Sequence, residues 1–276
     1  NQSTAASLQR LFPASGNYVQ VSFRYYGYGG SGADGIALIL SDATVTPQPG
    51  GFGGSLGYAP KGSVPGFAGG WLGLGLDEYG NFSNRNDSGP CAPGVPSCAT
   101  SVVPQSVAIR GSSNTYYWLR GTGTLATSVS NSTGHLYRIT VDSRVSGRAL
   151  VSVERDTTGT GTSFGTLINS FDAASASGQA AVPANFLLSL TGSTGGSTNT
   201  HEVDDLQVCA QSLSPIVAID HYEFTVNGTP LTCTPATVSV RACMDAACTT
   251  TYSGNVNVTL QPAGGWLGGD TKTFPG

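Results

Sequence analysis

The chain has 276 residues and a formal net charge of −4, and only 10% of its residues are charged. Lysine occurs only at positions 61 and 272, so no basic patch is available to neutralise phosphates, and we expect no nucleic-acid binding. No apolar run reaches the roughly 18 residues of a membrane-spanning helix, and we expect no membrane insertion.

Short apolar segments separated by glycine-rich turns recur along the chain, without a long helical periodicity. This pattern predicts an all-β protein with a sandwich architecture, because disordered Gly/Ser/Thr-rich tracts lack recurrent apolar strands. In chain order, the predicted strands cover 18–28, 35–41, 71–77, 102–110, 136–142, 149–155, 186–192, 201–208, 222–226, 237–241 and 256–260. Residues 47–57 are predicted to form a loop between the second and third of these strands.

The sequence texture changes after Cys209, where Ser212-Leu213-Ser214-Pro215 is typical of a linker. We therefore predict two domains, a β-sandwich over 1–211 and a small immunoglobulin-like β module over 212–276. The sequence leaves open whether the second module is truncated.

Six cysteines, without a Cys-x-x-Cys pair or a set of histidine partners, favour disulfides over a zinc site. Disulfides indicate an oxidising compartment, such as a cell surface, a periplasm or the extracellular space. Proximity favours the pairs Cys91–Cys98 and Cys243–Cys248, which leaves Cys209 and Cys233, although sequence alone does not decide the connectivity.

A strand without polar side chains, 71–76, runs directly into a polar segment at 77–81, which we call the hook. The Asp77 carboxylate, the Tyr79 carbonyl and the Asn81 amide offer hard oxygen atoms at alternate positions, and Asp87 follows. Because Ca²⁺ takes about six to eight such oxygens in a flexible loop, the hook predicts a calcium site. The alternative is an ordinary Asp/Asn/Gly turn.

Two further segments carry chemistry upstream of the hook. Asp34 stands at the mouth of the apolar strand 35–41. Residues 53–57, the glycine turn, contain three glycines, whose backbone N–H groups are not shielded by a side chain. An acidic residue, a metal loop and a glycine turn together indicate a sugar-binding site. Separately, Asp34 can be a turn residue, and the glycine turn a flexible hairpin loop.

Four motifs in order resemble those of the L-type (legume-type) lectins. Residues 33–37 resemble the Ala-Asp-Gly-Ile-Ala motif of that family, and 53–57 its Gly-Gly-x-Leu-Gly turn. The hook resembles its calcium loop, and 189–203 its closing Ser-x-x-Thr-Gly…His-x-Val segment. The resemblance implies a concanavalin A-like jelly-roll sandwich, of which the usual first strand is expected to be missing.

The resemblance also implies the roles of the site residues. Calcium would be held by Asp77, the Tyr79 carbonyl, Asn81 and Asp87. Asp34, following a cis Ala33–Asp34 peptide, would accept hydrogen bonds from two vicinal sugar hydroxyls, while the Asn81 amide and the Gly54 N–H donate. The remaining implied sugar contacts are an aromatic ring, Tyr79 or Phe82, and the loop 193–199 with Ser193 and Thr194.

The sequence departs from the legume pattern where those proteins bind a second, manganese-type metal. The position of its glutamate is Gly75, and the position of its histidine falls near Ser106. We therefore expect calcium without the second metal. The spacing from Asn81 to Asp87 is one residue longer than in that family, and Asn86 is an alternative ligand.

Residues 216–276 resemble the repeat of proteins involved in biogenesis of the mannose-sensitive haemagglutinin pilus. The motifs are His221-Tyr222 after Asp220, Leu-Thr-Cys-Thr-Pro at 231–235, and Val-Ser-Val-Arg-Ala-Cys at 238–243. This resemblance implies a bacterial cell-surface or pilus-associated protein.

The leading hypothesis is a calcium-dependent carbohydrate-binding adhesin module, with cell or matrix glycans and surface-fibre subunits as partners. A structural sandwich of a surface fibre without sugar binding is the alternative. We expect no enzyme, because Asp77 and Glu78 are adjacent and point to opposite faces of a strand, which leaves no carboxylate pair for glycoside hydrolysis. The Gly-x-Ser-x-Gly pattern at 53–57 lacks the helix that a nucleophile elbow needs, and His201 is expected to be structural.

Overall fold

The computed structural model describes residues 1–85, 88–95, 98–113, 115–215, 219–227, 237–253, 256–260 and 271–274. The chain divides into two compact units, Asn1–Pro215 and Ile216–Gly276. The first unit continues past residue 211, because Ser214 and Pro215 form a short strand that pairs with Arg10 and Leu11.

The first unit is a sandwich of two antiparallel sheets. Its strands are β1 (Gln2–Pro13), β2 (Tyr18–Tyr28), β3 (Gly35–Asp42), β4 (Gly70–Asp77), β5 (Ser106–Arg110), β6 (Trp118–Gly121), β7 (Asn131–Asp142), β8 (Leu150–Asp156), β9 (Gly165–Asp172), β10 (Asn185–Thr194), β11 (Thr200–Ala210) and β12 (Ser214–Pro215). One sheet has the order β12-β1-β10-β3-β4-β5-β6, and the other β11-β2-β7-β8-β9. The predicted all-β sandwich is confirmed, including the β7–β8 hairpin.

Strand β1 is the longest element that the sequence pattern did not predict. Most of its residues are exposed or half-buried, so it lacks the apolar alternation that identifies a strand. It is held instead by pairing with β10, from Gln2 opposite Thr194 to Pro13 opposite Asn185. Strands β6, β9 and β12 were missed as well.

Strands β3 and β4 are buried on both faces, and β4 shows why its sequence alternates leucine with glycine. Leu72, Leu74 and Leu76 belong to the core between the two sheets. On the opposite face, side chains at Gly73 and Gly75 would collide with the rings of Tyr58 and Phe82. The glycines therefore let a second apolar layer lie directly on the sheet.

This second layer is formed by the connection between β3 and β4 and by the segment after β4. It contains Leu56, Tyr58, Phe67 and Phe82, all without measurable exposure, packed against Ala37 and Ile39 of β3. The predicted loop 47–57 contains one short 3₁₀-helix, Gly53–Ser55. The layer fixes the glycine turn and the hook against the same end of the sheet.

In the second unit, the described strands form two antiparallel pairs. These are β13 (His221–Asn227) with β14 (Thr237–Cys243), and β15 (Val256–Thr259) with β16 (Thr271–Phe274). The immunoglobulin-like arrangement of this unit stays a prediction. No helix among the described residues is both long and apolar enough to cross a membrane.

Two of the expected disulfides are present. Cys91 is bonded to Cys98 with their Cα atoms 6.1 Å apart, and Cys243 is bonded to Cys248 with a Cα separation of 4.8 Å. Cys209 is exposed, and its expected partner Cys233 lies outside the described residues.

Candidate functional site

A cavity of about 260 Å³ lies where β3 and β4 meet the hook and the glycine turn; we call it the binding cavity. Its lining residues are Asp34, Gly53, Gly54, Lys61, Tyr79, Asn81, Gly195, Gly196 and Ser197. The structure thus brings together Asp34, Gly54, Tyr79 and Asn81, which the sequence singled out separately. It adds Lys61, which the sequence analysis did not identify.

Strand pairing explains why Asp34 and the hook are neighbours. Gly35 at the start of β3 pairs with Asp77 at the end of β4, so the residues that precede one strand lie beside those that follow the other. The Asp34 carbonyl accepts hydrogen bonds from the N–H groups of Glu78 and Tyr79, at 3.0 and 3.5 Å. The Ala33–Asp34 peptide is cis, as the lectin resemblance implied.

One oxygen of the Asp34 carboxylate is an acceptor without a hydrogen-bond partner in the described part of the chain. The residue is 6% exposed, and its Oδ2 atom has no hydrogen-bond partner among the described residues. Burial raises the pKa of Asp34, while the Gly195 N–H and the Lys61 ammonium oppose that shift. Because buried polar atoms are normally hydrogen-bonded, this oxygen points to a ligand that donates.

The hook presents oxygen atoms that fit a hard cation. Asp77 is fully buried, and its carboxylate accepts hydrogen bonds from the N–H groups of Gly80 and Ser83 at 2.7 and 2.8 Å. Burial raises the pKa of Asp77 to about 7, and these hydrogen bonds oppose the shift. Asn81 Oδ1 is buried and has no hydrogen-bond partner in the described chain. A carboxylate with free lone pairs beside an orphaned amide oxygen is a donor set that suits Ca²⁺.

The other expected calcium ligands stand as follows. Tyr79 would contribute its backbone carbonyl from within the same hook. Asp87 and its alternative Asn86 lie outside the described residues, so their part in the site stays a prediction.

Gly75 and Ser106 stand where the legume pattern has the glutamate and histidine ligands of the second metal, and they offer neither a carboxylate nor an imidazole. A side chain on Gly75 would collide with the ring of Phe82, which occupies that space. The hydroxyl of Ser106 lies 2.7 Å from that of Ser83 and within reach of the Val103 carbonyl. The packing of Phe82 on Gly75 and the hydrogen bonds of Ser106 therefore hold the chain that follows the hook in place.

The structure gives a reason for glycine at position 54 that the sequence did not indicate. A Cβ on Gly54 would collide with the Asn81 side chain, so glycine is needed to seat Asn81 rather than only to admit a ligand. The turn is also tied down from both sides. The Ser88 hydroxyl donates to the Gly54 carbonyl at 3.1 Å, and the Ser193 hydroxyl donates to the Gly53 carbonyl at 2.6 Å.

The structure places three of the predicted sugar contacts outside the lining of the binding cavity. Phe82 is 0% exposed inside the second apolar layer, where no ligand reaches it, whereas Tyr79 is 47% exposed and lines the cavity. Ser193 is buried and supports the glycine turn, and with Thr194 it borders a different cavity of about 200 Å³. The part of the 193–199 loop that faces the binding cavity is 195–197.

A buried polar network below the hook was not predicted as part of the site. Glu78 is 1% exposed and points away from Asp77 toward the other sheet, where it accepts a hydrogen bond from the Tyr25 hydroxyl at 2.6 Å. The Asn199 amide donates to its second oxygen at 2.7 Å. His201 stacks on Tyr25 and lies 2.8 Å from its hydroxyl, which agrees with the structural role expected for this histidine. Burial lowers the pKa of His201, and the Glu78 charge opposes the shift.

This network connects the hook to the loop that borders the cavity. Asn199 is separated from the 195–197 segment by one residue, and its side-chain oxygen also accepts a hydrogen bond from the Gly30 N–H at 2.9 Å. A buried carboxylate is costly unless it is hydrogen-bonded, so Glu78 holds Tyr25 and Asn199 firmly. Because Asp77 and Glu78 are consecutive, their side chains point to opposite sides of the chain. That was the sequence signal that could have indicated the buried network around Glu78.

A larger cavity of about 450 Å³ lies on the five-stranded sheet, but its charges are already paired. Arg24 contacts Asp205 at 3.1 Å, and Arg138 contacts Glu154 at 2.8 Å while stacking on Phe164. Such a surface lacks the unsatisfied buried atoms that distinguish the binding cavity.

In the second unit, His221 and Glu223 approach the sulfur atoms of Cys243 and Cys248. These sulfurs are joined in a disulfide and cannot serve as thiolate ligands. The group therefore offers one imidazole and one carboxylate, which is too few for a metal centre.

Comparisons with known proteins address the two units separately. Residues 219–276 match a domain family of unknown function (DUF8613). No curated protein matches the sequence significantly.

Solved structures similar to the chain include three lectins with TM-scores of 0.50 or more. Lectin I-B4 from Griffonia simplicifolia, in a metal-free form, has a TM-score of 0.53 at 15% identity, over 76% of this chain and 81% of the lectin. The Bauhinia forficata lectin in complex with GalNAc has a TM-score of 0.51 at 14% identity, over 76% and 80%. Lectin II from Ulex europaeus has a TM-score of 0.50 at 15% identity, over 75% and 81%. The chain therefore carries the concanavalin A-like sandwich of the legume lectins.

Proposed function

We propose that the first unit is a calcium-dependent carbohydrate-binding module. The observation that carries this proposal is the convergence of Asp34 and Asn81 on one cavity, each with a buried side-chain oxygen that lacks a partner. The first oxygen belongs to the charged Asp34 carboxylate. The second belongs to the Asn81 amide, which is in the same hook as the buried carboxylate of Asp77. A polyhydroxylated ligand and a hard cation would satisfy them.

Each lining group has a task in such a site. Asp34 accepts hydrogen bonds from two vicinal hydroxyls, and its charge makes those bonds stronger than neutral ones. The Asn81 amide nitrogen and the Gly54 N–H donate to the same sugar, and the exposed ring of Tyr79 packs against its apolar face. The lectin from Bauhinia forficata, which shares the fold, is bound to GalNAc, and we extend only the class of ligand, a saccharide, to this chain.

Calcium would be held by Asp77, the Tyr79 carbonyl, Asn81 Oδ1 and Asp87. When bound, it neutralises the buried carboxylate and fixes the hook, so that the Asn81 amide nitrogen is presented to the ligand. The hydrogen bonds to Asp77 from Gly80 and Ser83 use only part of the capacity of a carboxylate, which has about four lone-pair positions.

A glycan array in the presence of calcium, and again with a chelator, tests the proposal. We expect binding to a subset of glycans in calcium and its loss in the chelator. Calcium should also stabilise the unit, by about 2.7 kcal/mol when its concentration is a hundred times its dissociation constant. Magnesium at the same concentration is the matched control, because it prefers a smaller octahedral site. Absence of glycan binding in both conditions would contradict the proposal.

The Asn199→Ala variant tests the link between the network and the cavity. It removes the hydrogen bonds to Glu78 and from Gly30, so the 195–197 loop should lose its anchor. We expect glycan affinity to fall by roughly ten-fold, as for one to two hydrogen bonds, while calcium affinity changes little. Thr198→Ala is the control, because that side chain is exposed and hydrogen bonds at this residue involve its backbone. Equal affinities of the two variants would refute the link.

The biological setting is the second part of the proposal. The resemblance of residues 216–276 to pilus-biogenesis repeats supports an adhesin of a bacterial surface or pilus, and the two disulfides support an oxidising, extracellular location. Several copies on one fibre would convert weak single sites into strong attachment. A purely structural sandwich would have a side chain filling the pocket at Asp34, whereas the cavity is open.

A further inference from the structure

Lys61 places an unpaired cation in the binding cavity. It is one of two lysines in the chain and is exposed at the cavity wall. Its ammonium lies 5.1 Å from the centroid of the Phe52 ring. Among the described residues, this ammonium forms no hydrogen bond and no ion pair within 4.0 Å. An ammonium that lies at the cavity wall without a contact ion pair is available to a ligand.

The backbone around Lys61 fixes the direction of the side chain. Lys61 and Val64 exchange two hydrogen bonds of 3.0 Å, which close a tight turn. A Cβ on Gly51 would lie 2.7 Å from the Cβ of Lys61, so the absence of a side chain there lets the lysine stem pack against the backbone. With Phe52 on the other side, the side chain is guided toward the cavity.

The ammonium faces Asp34 across Gly53. A Cβ on Gly53 would be 3.0 Å from Lys61 Nζ and 3.6 Å from Asp34 Oδ2. Gly53 has a φ of +61°, which favours glycine, and without a side chain the space between the two charges stays open.

We propose that the cavity selects anionic saccharides, with Lys61 pairing with an acidic substituent while Asp34 accepts hydroxyl groups. The inference rests on the proposed function and specifies its ligand class. A neutral sugar would donate hydrogen bonds to Asp34, but it would displace water from the Lys61 ammonium without supplying a negatively charged acceptor in its place. A carboxylate, sulfate or phosphate on the sugar would form a charge-assisted hydrogen bond with Lys61, and so both groups are satisfied together.

Matched neutral and acidic methyl glycosides test the inference by calorimetric titration in calcium. The pairs are galactose with galacturonate, galactose with galactose-6-sulfate, and mannose with mannose-6-phosphate, which separate the three acidic groups. We expect at least one acidic sugar to bind about ten-fold tighter than its neutral partner, a modest ratio because Lys61 is exposed. The ratio should fall as salt is raised.

Two lysine variants identify the group responsible. Lys61→Gln should reduce the acidic-to-neutral affinity ratio to about one. Lys272→Gln, which removes the only other lysine and lies in the second unit, should leave the ratio unchanged. Thermal unfolding of Lys61→Gln should match that of the unmodified chain, since Lys61 is exposed.

The outcomes separate this inference from the proposed function. Equal binding of neutral and acidic sugars, or a preference that survives in Lys61→Gln, overturns the anionic selectivity but leaves the lectin function. Absence of binding to every saccharide on an array overturns both. A preference for one acidic group, lost only in Lys61→Gln, supports the inference and names the substituent.

Discussion

Asp34→Asn is expected to abolish measurable saccharide binding without weakening the fold. The variant replaces a charged acceptor by a neutral amide, which cannot accept from two hydroxyls equally well. Hydrogen bonds to charged groups are worth about 1.5–3 kcal/mol each, so the loss amounts to about 3 kcal/mol or more, roughly a hundred-fold in affinity. A glycan array followed by titration with the best glycan measures the effect.

The fold should tolerate this change because of the direction of the Asp34 pKa shift. Burial raises the pKa of Asp34 in the folded chain, so the ionised carboxylate is less favourable there than in the unfolded chain. Above the unfolded pKa, the charge therefore lowers stability, and the neutral amide removes this penalty. The thermal midpoint at neutral pH should stay the same or rise slightly.

Asp42→Asn is the matched control for this prediction. Asp42 ends the same strand, β3, at its opposite end, and its carboxylate accepts hydrogen bonds from the N–H and hydroxyl of Thr44. Glycan affinity should be unchanged in this variant. If Asp34→Asn keeps the affinity of the unmodified chain, the cavity is not the saccharide site.

Local motifs explain how much of the candidate site could be predicted. Asp34, Gly54, Tyr79 and Asn81 belong to short segments whose residue types reveal their chemistry, and the pairing of Gly35 with Asp77 brings those segments together. The absence of polar side chains at 71–76 likewise predicted the strand β4. In each case the information lies within about ten consecutive residues.

The parts that were missed depend on contacts between distant segments. Phe82 was a stacking candidate until the structure placed its ring over Gly75, a relation that neither position reveals alone. Lys61 lies in the cavity because a turn with Val64 and the ring of Phe52 direct it there. The partners of Glu78 are Tyr25 of β2 and Asn199 of the loop before β11, both far away in the chain, and polar burial of this kind leaves no periodic pattern.

Arg110 is the other position where we expect a large effect, because it holds the chain after the hook in place. It is fully buried on β5, and its guanidinium donates to the carbonyls of Phe82, Asn84, Gly89 and Tyr116. Its carbon also lies 5.3 Å from the centroid of the Phe82 ring. One side chain therefore fixes both ends of the described segment that follows the hook.

Arg110→Met is expected to destabilise the first unit by about 3–5 kcal/mol. Methionine fills similar space but leaves four carbonyl oxygens, three of them in buried hydrogen bonds, without this donor. Removal of one member of a buried charged network has a cost of this order. Arg110→Lys should be intermediate, since an ammonium has three donors and lacks the planar fork that reaches several carbonyls. Scanning calorimetry of the full chain measures both variants.

The same substitution should also weaken calcium binding, because the segment after Asn81 loses the group that orders it. Arg120→Met is the matched control: this arginine lies on the neighbouring strand β6, is exposed, and packs on Phe171 with its carbon 5.0 Å from the ring centroid. Its loss should change stability by less than about 1 kcal/mol. If Arg110→Met unfolds at the temperature of Arg120→Met and binds calcium equally well, the order of this segment does not depend on the guanidinium, and packing of Phe82 against Gly75 is sufficient to hold it.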